Sequence, residues 1–255
     1  MKKLGLIGYP LGHSFSKKYY VEKMEKENIV GIDYDLYPIP NIEDFPHLYT
    51  GENADFVGCN VTIPYKQAVM PYLQELSDEA KEIGAVHCIT IQHLPSGEKK
   101  LVGYNTDAYG FEESLKKHWK PDKHNKALVL GNGGAAKAVL FVLKKLNVPA
   151  QLVSRVNSDS AISYEDLSIE MIAEHRLIIN CTPLGTFSNV DACPPIPYEG
   201  VGENHYLYDL IYNPEETLFL KQGRTQGAVT KIGLEMLILE AAKKWEIWSV
   251  LERFI

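Results

Sequence analysis

A polar run at residues 58–66 carries side chains suited to acid–base chemistry. Asn60 and Thr62 alternate with apolar residues, so both lie on one face of a predicted strand. Pro64 ends that strand, and Lys66 follows it. A lysine at a strand end can act as an acid or a base when burial and neighbouring charges bring its pKa towards the working pH. The alternative is an ordinary solvated lysine on the surface.

Two further polar clusters follow predicted strands. Ser14 and Ser16 come after the first strand, and two hydroxyls two residues apart at a helix start can bind one anion. Thr106 and Asp107 follow a later strand. Either cluster can instead provide a helix N-cap, a role that serine, threonine and aspartate all favour. Because strand ends line the ligand crevice of a doubly wound sheet, the three clusters together predict a cleft.

A glycine-rich loop in the second half of the sequence predicts a nucleotide site. Its residues, Gly-Asn-Gly-Gly-Ala-Ala at 131–136, lie between a predicted strand and a predicted helix, as a dinucleotide fingerprint requires. Gly131 permits a tight turn. Gly133 lets the backbone approach a pyrophosphate at the positive end of the following helix. The alternative is a glycine-rich turn that binds no ligand.

The end of the next predicted strand indicates which nucleotide binds. An NAD site usually has an aspartate or glutamate about 20 residues beyond the first glycine, where it holds the ribose 2′-hydroxyl. Here the strand ends in Ser154 and Arg155, and no acid is present. A guanidinium pairs well with a 2′-phosphate, which a carboxylate would repel. We therefore expect NADP(H) rather than NAD(H); the alternative is a solvated Arg155 without a ligand.

Alternating strands and helices must position these clusters. Short apolar runs alternate with helical periodicity, which predicts βα units and a mostly parallel sheet, and the pattern restarts near residue 105. Strands are predicted at 4–8, 34–37, 57–62, 86–92, 101–104, 126–130, 151–153, 177–180 and 206–210. Helices are predicted from 14–16 to about 28, and at 66–73, 78–84, 135–146, 234–244 and 245–254.

The composition favours a globular protein that acts on small molecules. The chain has 255 residues, of which 45% are hydrophobic and 23% charged, and its net charge is −7. A general binder of nucleic-acid phosphates would carry a basic surplus, and no apolar run is long enough to span a membrane. The four cysteines form no CxxC pair and the histidines show no HxxxH spacing. We therefore expect reduced thiols, a cytoplasmic location, no metal site, and a monomer or homodimer.

Eight sequence stretches, taken together, are similar to those of a known family. They are GYPLGHSFS (8–16), GCNVTIPYK (58–66), IGAV (83–86), GYNTD (103–107), GNGGA (131–135), INCTPLGT (179–186), YDLIYNP (208–214) and KIGLEML (231–237). In order and spacing they resemble the shikimate dehydrogenase family, which reduces 3-dehydroshikimate to shikimate with NADPH in aromatic amino-acid synthesis. The resemblance implies an N-terminal α/β substrate domain (1–104 with 234–255), a Rossmann-like doubly wound NADP-binding domain (105–233), and an active site in the cleft between them.

The resemblance also implies a role for each site residue. Lys66 and Asp107 would be the catalytic pair, with the Lys66 ammonium stabilising and protonating the oxygen that hydride delivery leaves negative, and Asp107 orienting it. The substrate-binding residues would be Ser14, Ser16, Asn60, Thr62, His87, Asp107, Tyr212 and Glu240. The cofactor-binding residues would be Gly131, Asn132, Gly133, Gly134, Ala135, Ser154, Arg155, Leu210 and Gly233.

Two of the substrate positions depart from the family pattern. His87 stands where the family has asparagine, and Glu240 where it has glutamine; both family residues contact substrate hydroxyls. A protonated His87 paired with Glu240 would offset the added negative charge. These departures keep open a quinate- or aminoshikimate-type dehydrogenase, and a non-catalytic ligand-binding relative is the other alternative. After the second cofactor strand, Ser154-Arg155-Val156 replaces the family's Asn-Arg-Thr.

Overall fold

Two units make up the structure, a computed structural model that describes residues 1–12, 14–50 and 55–252. Unit 1 comprises Met1–Thr106 with Ala241–Ile255, and unit 2 comprises Asp107–Glu240. The domain limits expected from the sequence, 1–104 with 234–255 and 105–233, stay a prediction. His13, part of the first motif, lies outside the described residues. None of the helices in the described ranges combines the length and apolar character needed to cross a membrane.

A six-stranded mixed sheet forms the centre of unit 1. Its strands are β1 (Lys2–Gly8), β2 (Ile32–Pro38), β3 (Phe56–Val61), β4 (Glu75–Leu76), β5 (Cys88–His93) and β6 (Lys99–Tyr104), in the order β2-β1-β3-β5-β6-β4. Strand β5 runs antiparallel to β3 and to β6, and the other neighbours are parallel. The hairpin between β5 and β6 turns at Gly97, whose φ of +84° suits glycine.

Three helices of unit 1 follow strands of its sheet or begin at serine caps. They are α1 (Phe15–Lys26), α2 (Tyr65–Ala68) and α3 (Asp78–Ile83). Ser14 caps α1, because its Oγ accepts a hydrogen bond of 3.4 Å from the Lys17 N–H. Ser77 caps α3 in the same way, at 3.2 Å from the Ala80 N–H. Such caps satisfy backbone donors that a helix start leaves unpaired, and they fix where each helix begins.

Unit 2 is built around an all-parallel, six-stranded sheet. Its helices include α4 (Asp107–Leu115), α5 (Gly134–Lys145), α6 (Ile169–Glu174) and α7 (Leu218–Thr225). Its strands are β7 (Ala127–Leu130), β8 (Ala150–Ser154), β9 (Ala161–Ser163), β10 (Leu177–Asn180), β11 (Tyr206–Asp209) and β12 (Val229–Ile232), in the order β12-β11-β10-β7-β8-β9. Strand order reverses between β7 and β10, as in a Rossmann-like fold. The alternating pattern does not predict β9, β12, α6 or α7.

The last helix, α8 (Leu234–Glu252), is continuous where the sequence predicted two helices. It begins in unit 2 and ends in unit 1. In unit 1, Trp248 packs on the ring of Tyr20, with centroids 5.4 Å apart, and its Nε1 donates to the Ile89 carbonyl at 3.1 Å. The indole lies so close to β3 that a Cβ on Gly58 would stand 2.7 Å from Nε1. Glycine at position 58 therefore lets the helix pack against the sheet.

Candidate functional site

One edge of the unit 1 sheet collects the predicted substrate residues of that unit. Strands β1, β3 and β6 end at this edge, and the antiparallel β5 begins there. The strand-end placement expected from the sequence is therefore confirmed for these residues by the strand directions. The residues at or next to this edge are Ser14, Ser16, Asn60, Thr62, Lys66 and His87.

Asn60 is the centre of this edge. Its side chain is 1% exposed, and its Nδ2 donates to the Ser16 hydroxyl at 3.4 Å, so two predicted site residues are in contact. Within the described residues, its Oδ1 accepts no hydrogen bond. Because buried amide oxygens are nearly always satisfied, an unused acceptor here suits a ligand hydroxyl. Ser14 acts as the N-cap of α1, the alternative that the sequence left open.

Lys66 lies in α2, directly beyond the end of β3. Its side chain is half-buried, and its backbone carbonyl accepts a 2.7 Å bond from the Val86 N–H. That bond ties α2 to the segment preceding β5, so the lysine is held at the same edge as Asn60. Asp107 is the buried first residue of α4, in unit 2. The pairing of Lys66 with Asp107 stays a prediction.

His87 contacts two buried neighbours in unit 1. Its Nδ1 lies 3.4 Å from the Thr106 hydroxyl, and its Nε2 lies 3.4 Å from the Nζ of Lys244. An ammonium only donates, so in the contact with Lys244 the Nε2 of His87 is the acceptor. The sequence-based hypothesis that His87 pairs with Glu240 stays a prediction. Glu240 itself is buried, in the part of α8 that belongs to unit 2.

Lys244 was missed by the sequence reasoning. Its side chain is only 1% exposed, and it shares the buried face of α8 with Ala241 and Trp248. Burial raises the pKa of the Cys88 thiol to about 12, although the nearby Lys244 charge lowers it. The available signal was the spacing: a lysine at i+3 from Ala241 and four residues before Trp248 occupies an apolar stripe.

The glycine loop of unit 2 has the geometry of a phosphate cradle. Gly131 has a φ of +97°, and a Cβ there would lie 2.9 Å from Cγ2 of Thr182. Around Gly133 and Gly134, by contrast, a Cβ would meet no atom within 4 Å. Helix α5 begins here without a side-chain cap, so its first turn has backbone N–H groups that no capping side chain satisfies and that suit an anion. The neighbouring Asn132 is exposed and Ala135 half-buried, and the loop as a whole fits a pyrophosphate.

The end of β8 presents a cation and no acid. Arg155 is exposed directly beyond the strand. The Ser154 hydroxyl donates to the Val156 carbonyl at 2.6 Å, so its proton is committed to a local turn. Arg155 is therefore the group that fits a 2′-phosphate at this strand end.

The carboxyl ends of the parallel strands of unit 2 form one layer, which we call the strand-end layer. The ends of β10 and β11 lie in it, beside the glycine loop that follows β7. Leu210 donates its N–H to the Asn180 carbonyl at 3.0 Å, and Gly233 donates to the Ile211 carbonyl at 2.8 Å. A Cβ on Gly233 would collide with the Leu210 carbonyl oxygen, so the two predicted cofactor residues are in contact. Tyr212 lies just beyond and is exposed.

These features define the class: a two-unit α/β protein whose second sheet is Rossmann-like and carries a dinucleotide-type glycine loop. Residues 6–89 match the model of the shikimate dehydrogenase substrate binding domain. The chain is 39% identical to the shikimate dehydrogenase (NADP(+)) of Clostridium beijerinckii, over 98% of this chain and 92% of that protein. For the Methanococcus aeolicus enzyme of the same name the figures are 36%, 97% and 92%. The chain belongs to the shikimate dehydrogenase family.

A solved structure supports the same assignment. The crystal structure of shikimate 5-dehydrogenase from Thermus thermophilus in complex with NADP(H) and shikimate matches with a TM-score of 0.82. The sequences are 29% identical, and the match covers 97% of this chain and 93% of that one. The similarity therefore extends over both units.

Proposed function

We propose that this chain catalyses the reversible, NADPH-dependent reduction of 3-dehydroshikimate to shikimate. Family membership supports the reaction, since relatives of nearly the same length carry the name shikimate dehydrogenase (NADP(+)). The structural observation that carries the proposal is the buried, unused Oδ1 of Asn60 beside Ser16. A ring that bears several hydroxyls offers the donor that this acceptor lacks.

Lys66 and Asp107 carry the proton chemistry in this proposal. A nicotinamide held by the glycine loop and the ends of β10 and β11 would supply the hydride that reduces the ring carbonyl carbon, and the C=O π electrons would move to oxygen. The Lys66 ammonium stabilises that negative oxygen and transfers a proton to it, which completes the alcohol. Asp107 orients Lys66 and, as a counter-charge, favours its protonated form. In the reverse direction, neutral Lys66 takes the proton from the hydroxyl.

The remaining site residues bind and orient. Hydroxyls of Ser14 and Ser16, with Tyr212, bind the substrate carboxylate, while Asn60 and Thr62 hold the ring. His87 and Glu240 occupy the two substrate-binding positions at which this sequence differs from the family pattern. Gly131, Asn132, Gly133, Gly134 and Ala135 hold the pyrophosphate, and Ser154, Arg155, Leu210 and Gly233 complete the NADP(H) site. All four cysteines are unpaired thiols, which supports action in a reducing compartment, the cytoplasm.

Parallel initial-rate assays test the function. Purified protein is given shikimate or quinate, each with NADP+ or NAD+, and reduction of the nicotinamide is followed by absorbance. We expect the highest kcat/KM for shikimate with NADP+. Turnover of quinate alone would instead establish the quinate-type alternative, which the departures from the family pattern at His87 and Glu240 keep open. Cofactor binding without turnover of either acid would establish a non-catalytic relative.

A further inference from the structure

Asp209 is a fully buried carboxylate at the end of β11. Its Oδ1 accepts hydrogen bonds from Asn180 Nδ2 at 3.0 Å and from the Ile211 N–H at 3.1 Å, and its Oδ2 accepts from the Thr217 hydroxyl at 2.6 Å. Within the described residues, each of these partners is neutral. The three donors stabilise the ionised form but do not cancel its charge, which water cannot screen here.

This charge lies in the same strand-end layer as the glycine loop. Asn180 also accepts hydrogen bonds from Thr182, at 2.9 Å from its N–H and 2.7 Å from its hydroxyl. Thr182 in turn is the residue against which Gly131 packs. Asp209 is therefore joined by one intervening residue to the wall of the proposed pyrophosphate cradle.

The sheet order predicts which half of a dinucleotide lies nearest to Asp209. A dinucleotide spans the strand ends across the point where strand order reverses, here between β7 and β10. The adenosine ribose belongs over β7 and β8, where Arg155 lies. The nicotinamide half consequently belongs over β10 and β11, the strand that ends in Asp209.

We propose that the buried negative charge of Asp209 makes this site favour the oxidised, positively charged nicotinamide over the reduced, neutral one. The proposal rests on the proposed function, which supplies the dinucleotide. The phosphates and riboses are the same in the oxidised and reduced dinucleotides. The charge of Asp209 can therefore distinguish the two forms only by its interaction with the nicotinamide ring. Unit charges roughly 10 Å apart at an effective dielectric constant of about 20 interact strongly enough to change a ratio of dissociation constants about ten-fold.

The charge state of Asp209 gives the preference a pH dependence. Burial raises the pKa of its carboxyl to about 6, and the three hydrogen bonds oppose that rise. Asp209 is therefore ionised at pH 8 and protonated at pH 5. The titratable groups that face it are Cys181, Tyr208 and Tyr198, and burial raises the pKa of each above its usual value. All three stay neutral between pH 5 and 8.

Dissociation constants for NADP+ and NADPH, measured by calorimetry from pH 5 to 8, test the proposal. For each protein the measured quantity is Kd(NADPH) divided by Kd(NADP+), in which titration of the shared 2′-phosphate cancels. At pH 8 we expect this ratio to be about ten-fold higher in the wild type than in Asp209→Asn. At pH 5 the two ratios should coincide. Glu203→Gln removes an exposed carboxylate from the turn before β11 and should leave the ratio at its wild-type value.

The Asp209→Asn variant retains the hydrogen bonds of the site. The asparagine oxygen can accept from Asn180 and Ile211, and its amide can donate to the Thr217 hydroxyl. The wild-type pH series needs no variant, so it decides the matter even if the variant does not fold. A wild-type ratio that is constant from pH 5 to 8 would overturn this inference alone. Failure of the wild type to bind either dinucleotide would overturn the proposed function, and this inference with it.

Discussion

The Nζ of Lys244 lies 3.4 Å from Nε2 of His87, and both side chains are buried. Since the ammonium can only donate, Nε2 is the acceptor in this contact, which favours the tautomer that carries its proton on Nδ1, 3.4 Å from the Thr106 hydroxyl. Lys244 therefore contacts His87, a residue that the family resemblance places in the substrate site. The neighbour that makes Nε2 of His87 a hydrogen-bond acceptor therefore lies on α8.

In Lys244→Met we expect His87 to lose its preference for a single tautomer. Without the ammonium at Nε2 the proton distributes over both nitrogens, which 15N NMR of the labelled imidazole detects as a mixture in place of a single tautomer. We also expect the KM for shikimate to rise several-fold. The matched control is Lys243→Met, because that neighbouring lysine instead pairs with Glu246 at 2.8 Å. A single, unchanged His87 tautomer in Lys244→Met would contradict the assignment.

Lys66→Met should abolish most of the turnover while leaving the cofactor site intact. Loss of a positioned proton donor typically costs about 10²–10⁴-fold in rate. We expect kcat to fall by that factor and the NADPH dissociation constant to change little. Lys81→Met, at an exposed position on α3, serves as the control. Wild-type kcat in Lys66→Met would remove Lys66 from the mechanism.

Arg155→Ala should reduce the preference for NADP(H). A hydrogen-bonded ion pair with the 2′-phosphate is worth about 1.5–3 kcal/mol, so kcat/KM with NADPH should fall about 10- to 150-fold. The value with NADH should stay nearly constant. Arg176→Ala removes an exposed cation from the segment before β10 and should alter neither value. An equal fall in kcat/KM with NADPH and with NADH would show that Arg155 does not bind the 2′-phosphate.

Alanine substitutions at two glycines should separate folding from binding. At Gly131 the positive φ and the contact with Thr182 should lower the free energy of unfolding by about 1–3 kcal/mol. At Gly133 the added methyl meets open space, so stability should not fall, but NADP(H) affinity should drop about ten-fold or more. Thermal denaturation and cofactor titration of both variants check this. Undiminished affinity in Gly133→Ala would argue against the cradle.

Asp209→Asn should stabilise the protein above pH 6. The carboxyl pKa is raised from 3.8 to about 6 in the fold, so the folded state binds a proton more tightly than the unfolded chain. Protonation of Asp209 therefore stabilises the folded state. This contribution is fully present below pH 3.8 and is lost as pH rises through 6, which lowers the free energy of unfolding by about 3 kcal/mol. Urea unfolding at pH 4 and pH 8 should show the variant gaining stability relative to the wild type as pH rises. A pH-independent difference would contradict the raised pKa.

The sequence predicts those parts of the fold that rest on local pattern. The parallel runs at β7, β10 and β11, the glycine loop and α5 follow from apolar periodicity and from residue types that strand–turn–helix geometry requires. The strand-end position of Asn60 follows from its alternation with apolar neighbours. Strand β9, by contrast, has only three residues, and β12 (VTKI) is interrupted by polar residues, so neither shows a continuous apolar run.

The rest of the site depends on contacts between distant segments. Asp209 is held by Asn180 and Thr217, which lie on other elements, and only the folded sheet brings them together. Lys244 reads as a surface residue until its helix is seen to bury that face. In both cases the residue type alone gave no signal, because the partners are fixed by packing; for Lys244 the spacing from Ala241 and Trp248 was the available signal.

Unit 1 takes its final helical segment from beyond unit 2 in the chain. Tyr20 and Tyr34 pack against Trp248, which the ribosome adds only after all of unit 2 has been made. Unit 2, contiguous in sequence, can close its core first. During synthesis the earlier half therefore carries an uncovered aromatic surface for many seconds, and that nascent stage is where chaperones have the most to protect.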